Sequence, residues 1–257
     1  MTDVALTGAK GRMGSLIIEG IRSSQDLKLV AAIDIVGIGE LVLGDLRISD
    51  AGDVRRVLRE SRPDVLIDFT VPSAALENIR AAADNGVALV VGTTGFSEEQ
   101  LSIIEDTIKS AGIAAVISPN FSLGVNVFWK LVEMAARSLS DYDVEVIEAH
   151  HRRKKDAPSG TAMRTAEILR RCLGIEDIRY GREGMCERGR EIGVHAVRAG
   201  DIVGDHTVLF AGPGERIEIK HQAHSRSAFA TGALRAARWV VRAPPGIHSM
   251  EEVLASS

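Results

Sequence analysis

The feature that most constrains the fold is an alternation, through the first half of the chain, of short apolar runs and longer amphipathic stretches. The apolar runs are continuous, which is typical of strands buried on both faces of a parallel sheet. They span Val4–Thr7, Leu29–Ile33, Val65–Phe69, Val87–Val91 and Ala114–Ile117. Helical patterns separate most of them, at Gly11–Ser23, Ser73–Asn85 and Ser97–Ser110. Repeated strand–helix units predict a doubly wound α/β domain.

The pattern changes after Asn120, where strands with apolar and polar residues in alternation are predicted. Such strands suit a sheet with one face toward solvent or another subunit. The predicted elements are helices at Leu123–Ser138, Ala162–Leu173 and Ala228–Arg242, and strands at Asp143–Ala149, His206–Phe210 and Arg216–Gln222. We therefore expect an α/β protein. A Rossmann-like doubly wound parallel sheet occupies 1–121, an α+β domain with a mixed sheet occupies 122–227, and a helical segment that returns to the first domain occupies 228–257.

Composition excludes several classes of protein. The 257 residues carry a formal net charge of −4, which gives no general affinity for nucleic acid. No apolar run approaches the roughly 20 residues that span a bilayer, and glycines interrupt any signal-peptide pattern at the start. Cys172 and Cys186 form neither a metal-binding pattern nor a disulfide framework. We expect a cytoplasmic protein with no metal and no membrane partner.

A glycine cluster, TGAKGRMG, follows the first predicted strand. Gly8, Gly11 and Gly14 would let the turn tighten and the backbone approach a pyrophosphate, which the following helix N-terminus can bind. Asp34 lies 20 residues after Gly14, where an acidic residue can accept hydrogen bonds from an adenosine ribose. The spacing is GxxGxxG rather than GxGxxG, so a plain glycine turn stays open as an alternative.

Two further motifs fall at the carboxyl ends of predicted parallel strands. GTTGF, Gly92–Phe96, follows the fourth apolar run, and SPNFS, Ser118–Ser122, follows the fifth. Ligands bind at this edge of open α/β sheets. Ordinary turn chemistry explains either motif when it is considered alone.

The most unusual segment is EAHHRRKKDAPSGTA, in which six consecutive residues, 150–155, can carry positive charge. His150 can exchange a proton near neutral pH. Ser159 or Thr161 can cap the next helix, whose first N–H groups form an anion site. A proton donor, ammonium groups and a helix end therefore suit a small substrate with more than one carboxylate. A solvated basic face and a nucleic-acid patch are the alternatives.

The motifs GAKGRMG, GTTGF, SPNFSLGVN, EAHHRRKKDAPSGTA, GDHTVLF and HSRSAFATGA, in this order, resemble the 4-hydroxy-tetrahydrodipicolinate reductase (dihydrodipicolinate reductase) family. The resemblance covers nearly the whole chain, and its basic block is the most specific part. It implies reduction of 4-hydroxy-tetrahydrodipicolinate, via dihydrodipicolinate, to tetrahydrodipicolinate in lysine and diaminopimelate biosynthesis. It also implies NADH or NADPH as cofactor, a cyclic dicarboxylate substrate, and a homotetramer assembled through the C-terminal sheet.

The same resemblance assigns residue roles. His150 is similar to the family's proton donor and Lys154 to its catalytic lysine, while His151, Gly160 and Thr161 resemble substrate-binding positions. The positions that resemble cofactor contacts are Gly8, Ala9, Lys10, Gly11, Arg12, Met13, Asp34, Gly92, Thr93, Thr94, Ser118, Pro119, Asn120 and Phe121. Ile35 follows Asp34 where some members have a basic residue, so Asp34 favours NADH, whereas Lys10 could offset this.

Two other functions stay open from the sequence. One is a different dehydrogenase on the same two-domain plan, acting on an amino or keto acid. The other is a dinucleotide-sensing protein without turnover. The His150–Lys154 block argues against both, and a substrate assay would separate them.

Overall fold

The computed structural model describes residues 1–255, which form two compact units. The first unit contains Met1–Leu123 together with the C-terminal segment that begins at Ser227. The second unit contains Gly124–Arg226.

The first unit is built on an eight-stranded sheet. Its strands are β1 (Thr2–Thr7), β2 (Leu27–Asp34), β3 (Leu41–Leu43), β4 (Leu46–Asp50), β5 (Val65–Asp68), β6 (Ala88–Val91), β7 (Ala114–Ile117) and β13 (Gly246–His248). The strand order is β13-β7-β6-β5-β1-β2-β4-β3, and all neighbours are parallel except β3, which is antiparallel to β4. The five predicted apolar runs form β1, β2, β5, β6 and β7, which confirms the doubly wound fold.

Helices cover both faces of this sheet. They are α1 (Arg12–Arg22), α2 (Val54–Ser61), α3 (Pro72–Asp84), α4 (Glu98–Ala111), α7 (Ser227–Val240) and α8 (Met250–Ala255). One apolar cluster contains residues of α1, α7 and α8, and a second contains residues of α2, α3 and α4. Burial on both faces explains why the strands are apolar throughout: every residue of β5 is buried, including Asp68.

Local signals set several helix ends. Ser97 and Gln100 form the predicted capping box at the start of α4, and the helix ends at Gly112, whose φ of 63° is left-handed. The hairpin β3–β4, the helices α2 and α8, and the strands β13, β9 (Ile178–Tyr180) and β10 (Ile192–Arg198) were not predicted. They are three to eight residues long and β3, β4 and β9 are largely exposed, so their apolar periodicity is weak.

The second unit contains a five-stranded mixed sheet and two helices. The elements are α5 (Leu123–Ser138), β8 (Asp143–His150), α6 (Gly160–Leu173), β9 (Ile178–Tyr180), β10 (Ile192–Arg198), β11 (Gly204–Gly212) and β12 (Glu215–Ala223). The order is β12-β11-β8-β10-β9, with β8, β10 and β9 parallel and β11 antiparallel to both of its neighbours. This confirms the predicted α+β domain with a mixed sheet.

One face of the mixed sheet is packed against α5 and α6. Val144 and Val146 lie on this face with residues of both helices, and Trp129 of α5 donates its indole N–H to the Thr165 hydroxyl of α6 at 3.0 Å. Burial in β8 alternates strictly, so Glu148 and His150 continue the inward row that Val144 and Val146 begin. This strand therefore places two polar side chains in the core of the unit.

Candidate active site

The glycine turn after β1 brings the backbone close to the sheet. Gly8 has a φ of 76°, and a Cβ atom there would lie 2.6 Å from the Phe69 carbonyl oxygen. Gly14 is equally constrained, because an added Cβ would overlap the carbonyl oxygens of Gly8 and Ala9. Gly11 is the N-cap of α1, and among residues 1–255 no side chain caps its first turn. The turn therefore packs closely on the neighbouring backbone and leads into a helix N-terminus without a side-chain cap, as a pyrophosphate site requires.

Asp34, the last residue of β2, is bound into the neighbouring turns. Its carboxylate accepts the Lys10 N–H at 2.8 Å, the Ile35 N–H at 2.7 Å and the Val36 N–H at 3.2 Å. The Lys10 ammonium forms an ion pair with Glu40 at 2.6 Å. The structure therefore brings Lys10 and Asp34 together as predicted, but gives the lysine side chain an acidic partner that the sequence did not indicate.

Asp68 organises the carboxyl ends of three strands. Its buried carboxylate accepts the hydroxyl protons of Thr7 at 2.7 Å and Thr93 at 2.6 Å, and the side-chain amide of Asn78 at 2.7 Å. Thr93 in turn accepts the Thr70 N–H at 2.8 Å. Asp68 thus fixes the loop that carries Gly92, Thr93 and Thr94. Sequence reasoning missed Asp68, although its position at the end of an apolar run was a signal.

The remaining cofactor candidates lie along the same edge of the sheet. Gly92 packs so closely on the Phe69 ring that a Cβ would overlap it, and Phe121 contacts Phe69 with ring centroids 5.7 Å apart. The Ser118 hydroxyl donates to the Asn120 carbonyl at 2.9 Å and shapes the turn through Pro119. Ala9 is buried and Met13 is half-buried, whereas Arg12 and Thr94 are exposed.

A cavity of about 270 Å³ opens beside this edge, within the first unit. It is lined by Thr7, Gly8, Ile33, Asp34, Ile35, Ala51, Val54, Thr70, Val71, Ala74, Glu77 and Asn78. The residues fit a pyridine nucleotide, because an apolar pocket rimmed by Asp34 adjoins a glycine turn that excludes any Cβ. The glycine turn would hold the pyrophosphate, and Asp34 at the rim of the pocket would hold the adenosine ribose.

In the second unit, His150 is held by a buried carboxylate. Its Nδ1 lies 2.5 Å from Glu148 Oε2, and His150 is 8% exposed while Glu148 is fully buried. Burial lowers the pKa of His150, and the hydrogen bond that its Nδ1 donates to Glu148 opposes that change without cancelling it. Burial works to raise the pKa of Glu148, but hydrogen bonds from Arg198 and His150 hold it below its ordinary value. Glu148 is therefore an ionised partner of His150.

The start of α6, where an anion site is predicted, is a capped helix end. Ser159 is the N-cap, and its hydroxyl accepts the Ala162 N–H at 3.2 Å. A Cβ atom on Gly160 would meet open space. The Ser159 N–H donates to Glu148 Oε1 at 3.0 Å, which ties the helix end to the carboxylate that holds His150.

The loop between β8 and α6 carries the two remaining candidates. His151 Nε2 accepts from the Arg226 guanidinium at 3.2 Å, and within the described residues its buried Nδ1 has no hydrogen-bond partner. The Lys154 ammonium forms an ion pair with Asp156 at 2.9 Å. Arg226 and Asp156 are contacts that sequence reasoning did not find, because neither residue stands out by its local pattern.

His206 completes the polar cluster around His150. The two rings meet edge to face with centroids 5.2 Å apart, and His206 Nε2 lies 3.2 Å from the Ser159 hydroxyl. Burial, together with the nearby positive charge of His150, lowers the pKa of His206 to about 4. Gly204 packs against the His150 ring, since a Cβ atom at Gly204 would lie 3.0 Å from His150 Nε2. His206 is thus a neutral neighbour of His150 near pH 7.

A doubly wound sheet with a dinucleotide-type glycine turn, and a second unit in which a carboxylate-held histidine lies beside a helix N-terminus, are the features of a pyridine-nucleotide-dependent oxidoreductase. A family model described as "Dihydrodipicolinate reductase, N-terminus" matches residues 2–121, and one described as "Dihydrodipicolinate reductase, C-terminus" matches residues 124–254. The chain belongs to the dihydrodipicolinate reductase family, as the sequence motifs indicated.

Relatives and solved structures agree with this assignment. The chain is 56% identical over 263 residues to the 4-hydroxy-tetrahydrodipicolinate reductase of Methanococcoides burtonii, covering 100% of both chains. It is 51% identical to the same-named protein of Methanocaldococcus jannaschii, covering 99% and 97% of the two chains. The dipicolinate-bound dihydrodipicolinate reductase of Paenisporosarcina sp. TG-14 superimposes with a TM-score of 0.82 at 27% identity, covering 97% of each chain.

Other observations limit what the chain contains. Among residues 1–255, no helix is long and apolar enough to cross a membrane. Within the same residues, no group of three or more histidine, cysteine, aspartate or glutamate side chains is arranged to hold a metal ion.

Proposed function

We propose that the chain reduces 4-hydroxy-tetrahydrodipicolinate, via dihydrodipicolinate, to tetrahydrodipicolinate in the lysine and diaminopimelate pathway. The observation that carries the proposal is the buried contact between His150 and Glu148 beside the first turn of α6. It provides a proton donor and a carboxylate site within one loop. Such a loop suits a small cyclic substrate with two carboxylates rather than a nucleic acid or a membrane surface.

The glycine turn and Asp34 would hold a nicotinamide nucleotide, which when bound would supply a hydride for the far end of a conjugated C=C–C=N system. His150 then delivers a proton from Nε2 to the carbon on which negative charge develops, because its Nδ1 is occupied by Glu148. The Lys154 ammonium offsets that developing charge as a preorganised cation. The N–H groups of Gly160 and Thr161, with the Thr161 hydroxyl, hold one carboxylate, and His151 faces the other polar edge of the substrate.

The proposal is tested by an assay with freshly synthesised substrate and each nucleotide in turn. His150→Gln should lower kcat by about 100- to 10,000-fold, the usual contribution of general acid catalysis, with nucleotide affinity unchanged. Lys154→Ala should raise KM and lower kcat, because the ammonium acts in both the ground state and the transition state. A His150→Gln protein that turns over at the wild-type rate would remove His150 from this role.

The carboxylate site is tested separately by calorimetric titration. Pyridine-2,6-dicarboxylate, a flat mimic with both carboxylates, should bind more tightly than pyridine-2-carboxylate by about 1.5–3 kcal/mol, the usual contribution of a hydrogen bond to a charged group. A short DNA duplex serves as the control for nonspecific attraction to Arg152, Arg153 and Lys155. Equal affinity for the two pyridine acids, or tighter binding of the duplex, would contradict the assignment.

For the cofactor, we propose a preference for NADH over NADPH. The Asp34 carboxylate repels a 2′-phosphate, and the Lys10 ammonium that could attract it is paired with Glu40. Glu40→Gln should therefore raise kcat/KM for NADPH relative to NADH by about 1.5- to 5-fold, the range expected for an exposed ion pair. The ratio is measured at low salt, and a wild-type preference for NADPH would show that Lys10 outweighs Asp34.

We further propose a homotetramer, assembled through the face of the mixed sheet that points away from α5 and α6. Ile147 of β8 and Val197 of β10 lie on this face and are 40% and 45% exposed, which is unusual for β-branched residues in two adjacent strands. Sedimentation velocity should give four times the chain mass, and Ile147→Asp should shift the distribution to smaller species.

A cytoplasmic location is proposed because the two cysteines are free, which is typical of a protein in a reducing compartment.

A further inference from the structure

The buried Glu148 carboxylate receives four hydrogen bonds. Its Oε2 accepts from His150 Nδ1 at 2.5 Å and from Arg198 Nη1 at 2.9 Å, and its Oε1 accepts from the Ser159 N–H at 3.0 Å and from Arg198 Nη2 at 2.8 Å. Every neighbour is a donor, so only a carboxylate satisfies this position. An amide would turn its NH₂ group toward donors in either orientation.

We propose that Glu148 is the positioning residue of the proton donor, that it fixes the tautomer of His150 and ties it to the carboxylate-binding end of α6, and that Arg198 is its counter-charge. This inference rests on the proposed role of His150. Glu148 touches neither nucleotide nor reacting carbon in this assignment and acts through the residues it holds.

The tautomer follows from the chemistry of the pair. An ionised carboxylate has no proton to donate, so the proton of neutral His150 lies on Nδ1, and Nε2 is the nitrogen that gains and delivers the catalytic proton. Without the carboxylate, the imidazolium loses its negatively charged partner, and the ring loses the contact that holds its orientation. The fraction of His150 that is an imidazolium aligned to deliver a proton from Nε2 would fall.

The same carboxylate also holds the substrate site. Its bond to the Ser159 N–H fixes the N-cap of α6, whose next two residues are Gly160 and Thr161. Arg198 extends the connection, because its guanidinium also donates to the Asp156 carbonyl oxygen at 2.6 Å in the loop that carries Lys154. A change at Glu148 should therefore alter both proton transfer and carboxylate binding.

The charged and titratable groups that face His150 come from every neighbouring element. Glu148 lies on the same strand, Arg198 on β10, Lys154 in the following loop and His206 on β11. Only Glu148 is negative, so it alone favours the imidazolium, whereas Arg198 and Lys154 oppose it. Removal of Glu148 and removal of Arg198 must then shift the titration of His150 in opposite directions. A merely structural role would not produce that difference in sign.

The experiment compares Glu148→Gln, Arg198→Met and Arg198→Lys in the full chain. The His150 imidazole is titrated by NMR with labelled histidine and assigned by its loss in His150→Gln. Glu148→Gln should lower the His150 pKa and reduce kcat about 10- to 100-fold. It should also weaken the binding of pyridine-2,6-dicarboxylate at least threefold. Arg198→Met should raise the His150 pKa, and Arg198→Lys, which keeps a cation, should stay near wild type.

The matched control is Glu145→Gln. Glu145 lies on the same strand and also accepts from a histidine, with His195 Nε2 at 2.8 Å, but its side chain is on the opposite face of the sheet. This variant should leave the His150 titration unchanged. If Glu148→Gln does not fold by circular dichroism, the double variant Glu148→Gln/Arg198→Met removes both buried charges together, and Arg198→Met alone still tests the sign.

The outcomes separate this inference from the proposed function. Shifts of the same sign in Glu148→Gln and Arg198→Met, or no shift in Arg198→Met, would overturn the positioning role while leaving the reductase assignment intact. Because the NMR titration needs no turnover, opposite shifts in a chain that fails to reduce the substrate would uphold the positioning role and refute the function.

Discussion

Acidification should destabilise the second unit through one buried histidine. The pKa of His206 is lowered to about 4 from an ordinary value of 6.5, chiefly by burial, so the folded state binds fewer protons than the unfolded state between these two values. Stability from this group is complete above pH 6.5 and is lost as the pH falls toward 4. At pH 5 the unfolded imidazole is almost fully protonated while the folded one is almost fully neutral, which gives a loss of about 2 kcal/mol.

The measurement is the free energy of unfolding of the second unit at pH 7.5 and pH 5. Trp129 lies in this unit and Trp239 in the first, so a Trp239→Phe background lets fluorescence report the second unit alone. In this background the His206→Gln variant should lose about 2 kcal/mol less than the parent between the two pH values. Comparison of the two proteins cancels the contributions of the other titrating groups that both share.

The control is His224→Gln, which makes the same substitution at an exposed histidine of the same unit. His206→Gln will itself cost stability at pH 7.5, since it removes a ring that packs on His150, but that cost is separate from the slope with pH. An equal loss of stability in His206→Gln and in the parent would refute the reasoning, because it would show that His206 titrates alike in the folded and unfolded states.

Three further substitutions follow from single contacts. Gly204→Ala places a methyl group 3.0 Å from His150 Nε2 and should reduce kcat at least tenfold with nucleotide affinity unchanged; a wild-type kcat would show that Nε2 has room to move. Asp156→Asn frees the Lys154 ammonium and should raise the calorimetric affinity for pyridine-2,6-dicarboxylate up to about fivefold. Weaker binding would mean that Asp156 positions the lysine. Asp68→Asn turns an amide toward hydroxyl and amide donors, so it should lower the free energy of unfolding of the first unit by about 1–3 kcal/mol in denaturant and also lower nucleotide affinity. An unchanged denaturation midpoint would contradict the role of Asp68.

Much of the site could be found from the sequence because its residues are adjacent in the chain. The segment from His150 to Thr161 contains the proposed proton donor, the lysine and the helix end, and this grouping indicated a substrate with more than one carboxylate. The glycine turn was predicted for the same reason, since the constraints on Gly8 and Gly14 arise within a few residues of the turn itself. The assignment of individual roles came from the resemblance to a family rather than from spacing.

The partners of these residues could not be found in the same way. Glu148 is 50 residues from Arg198, Asp68 is 61 residues from Thr7, and Lys10 is 30 residues from Glu40. In each pair, the contact depends on which strands or turns become neighbours and in what register. A glutamate just before a histidine gave no local sign that it would be fully buried.

The sequence by itself determined the type and place of most helices and strands, because periodic burial along a single element is a local property of the chain. It also determined where the backbone must turn tightly and which residues could exchange a proton. Only the tertiary structure decided which carboxylate holds His150, which acid pairs with Lys10 and which glycine packs on the proton donor. Those contacts require strand order and register, and both are set by the packing of the whole unit, which no single stretch of sequence encodes.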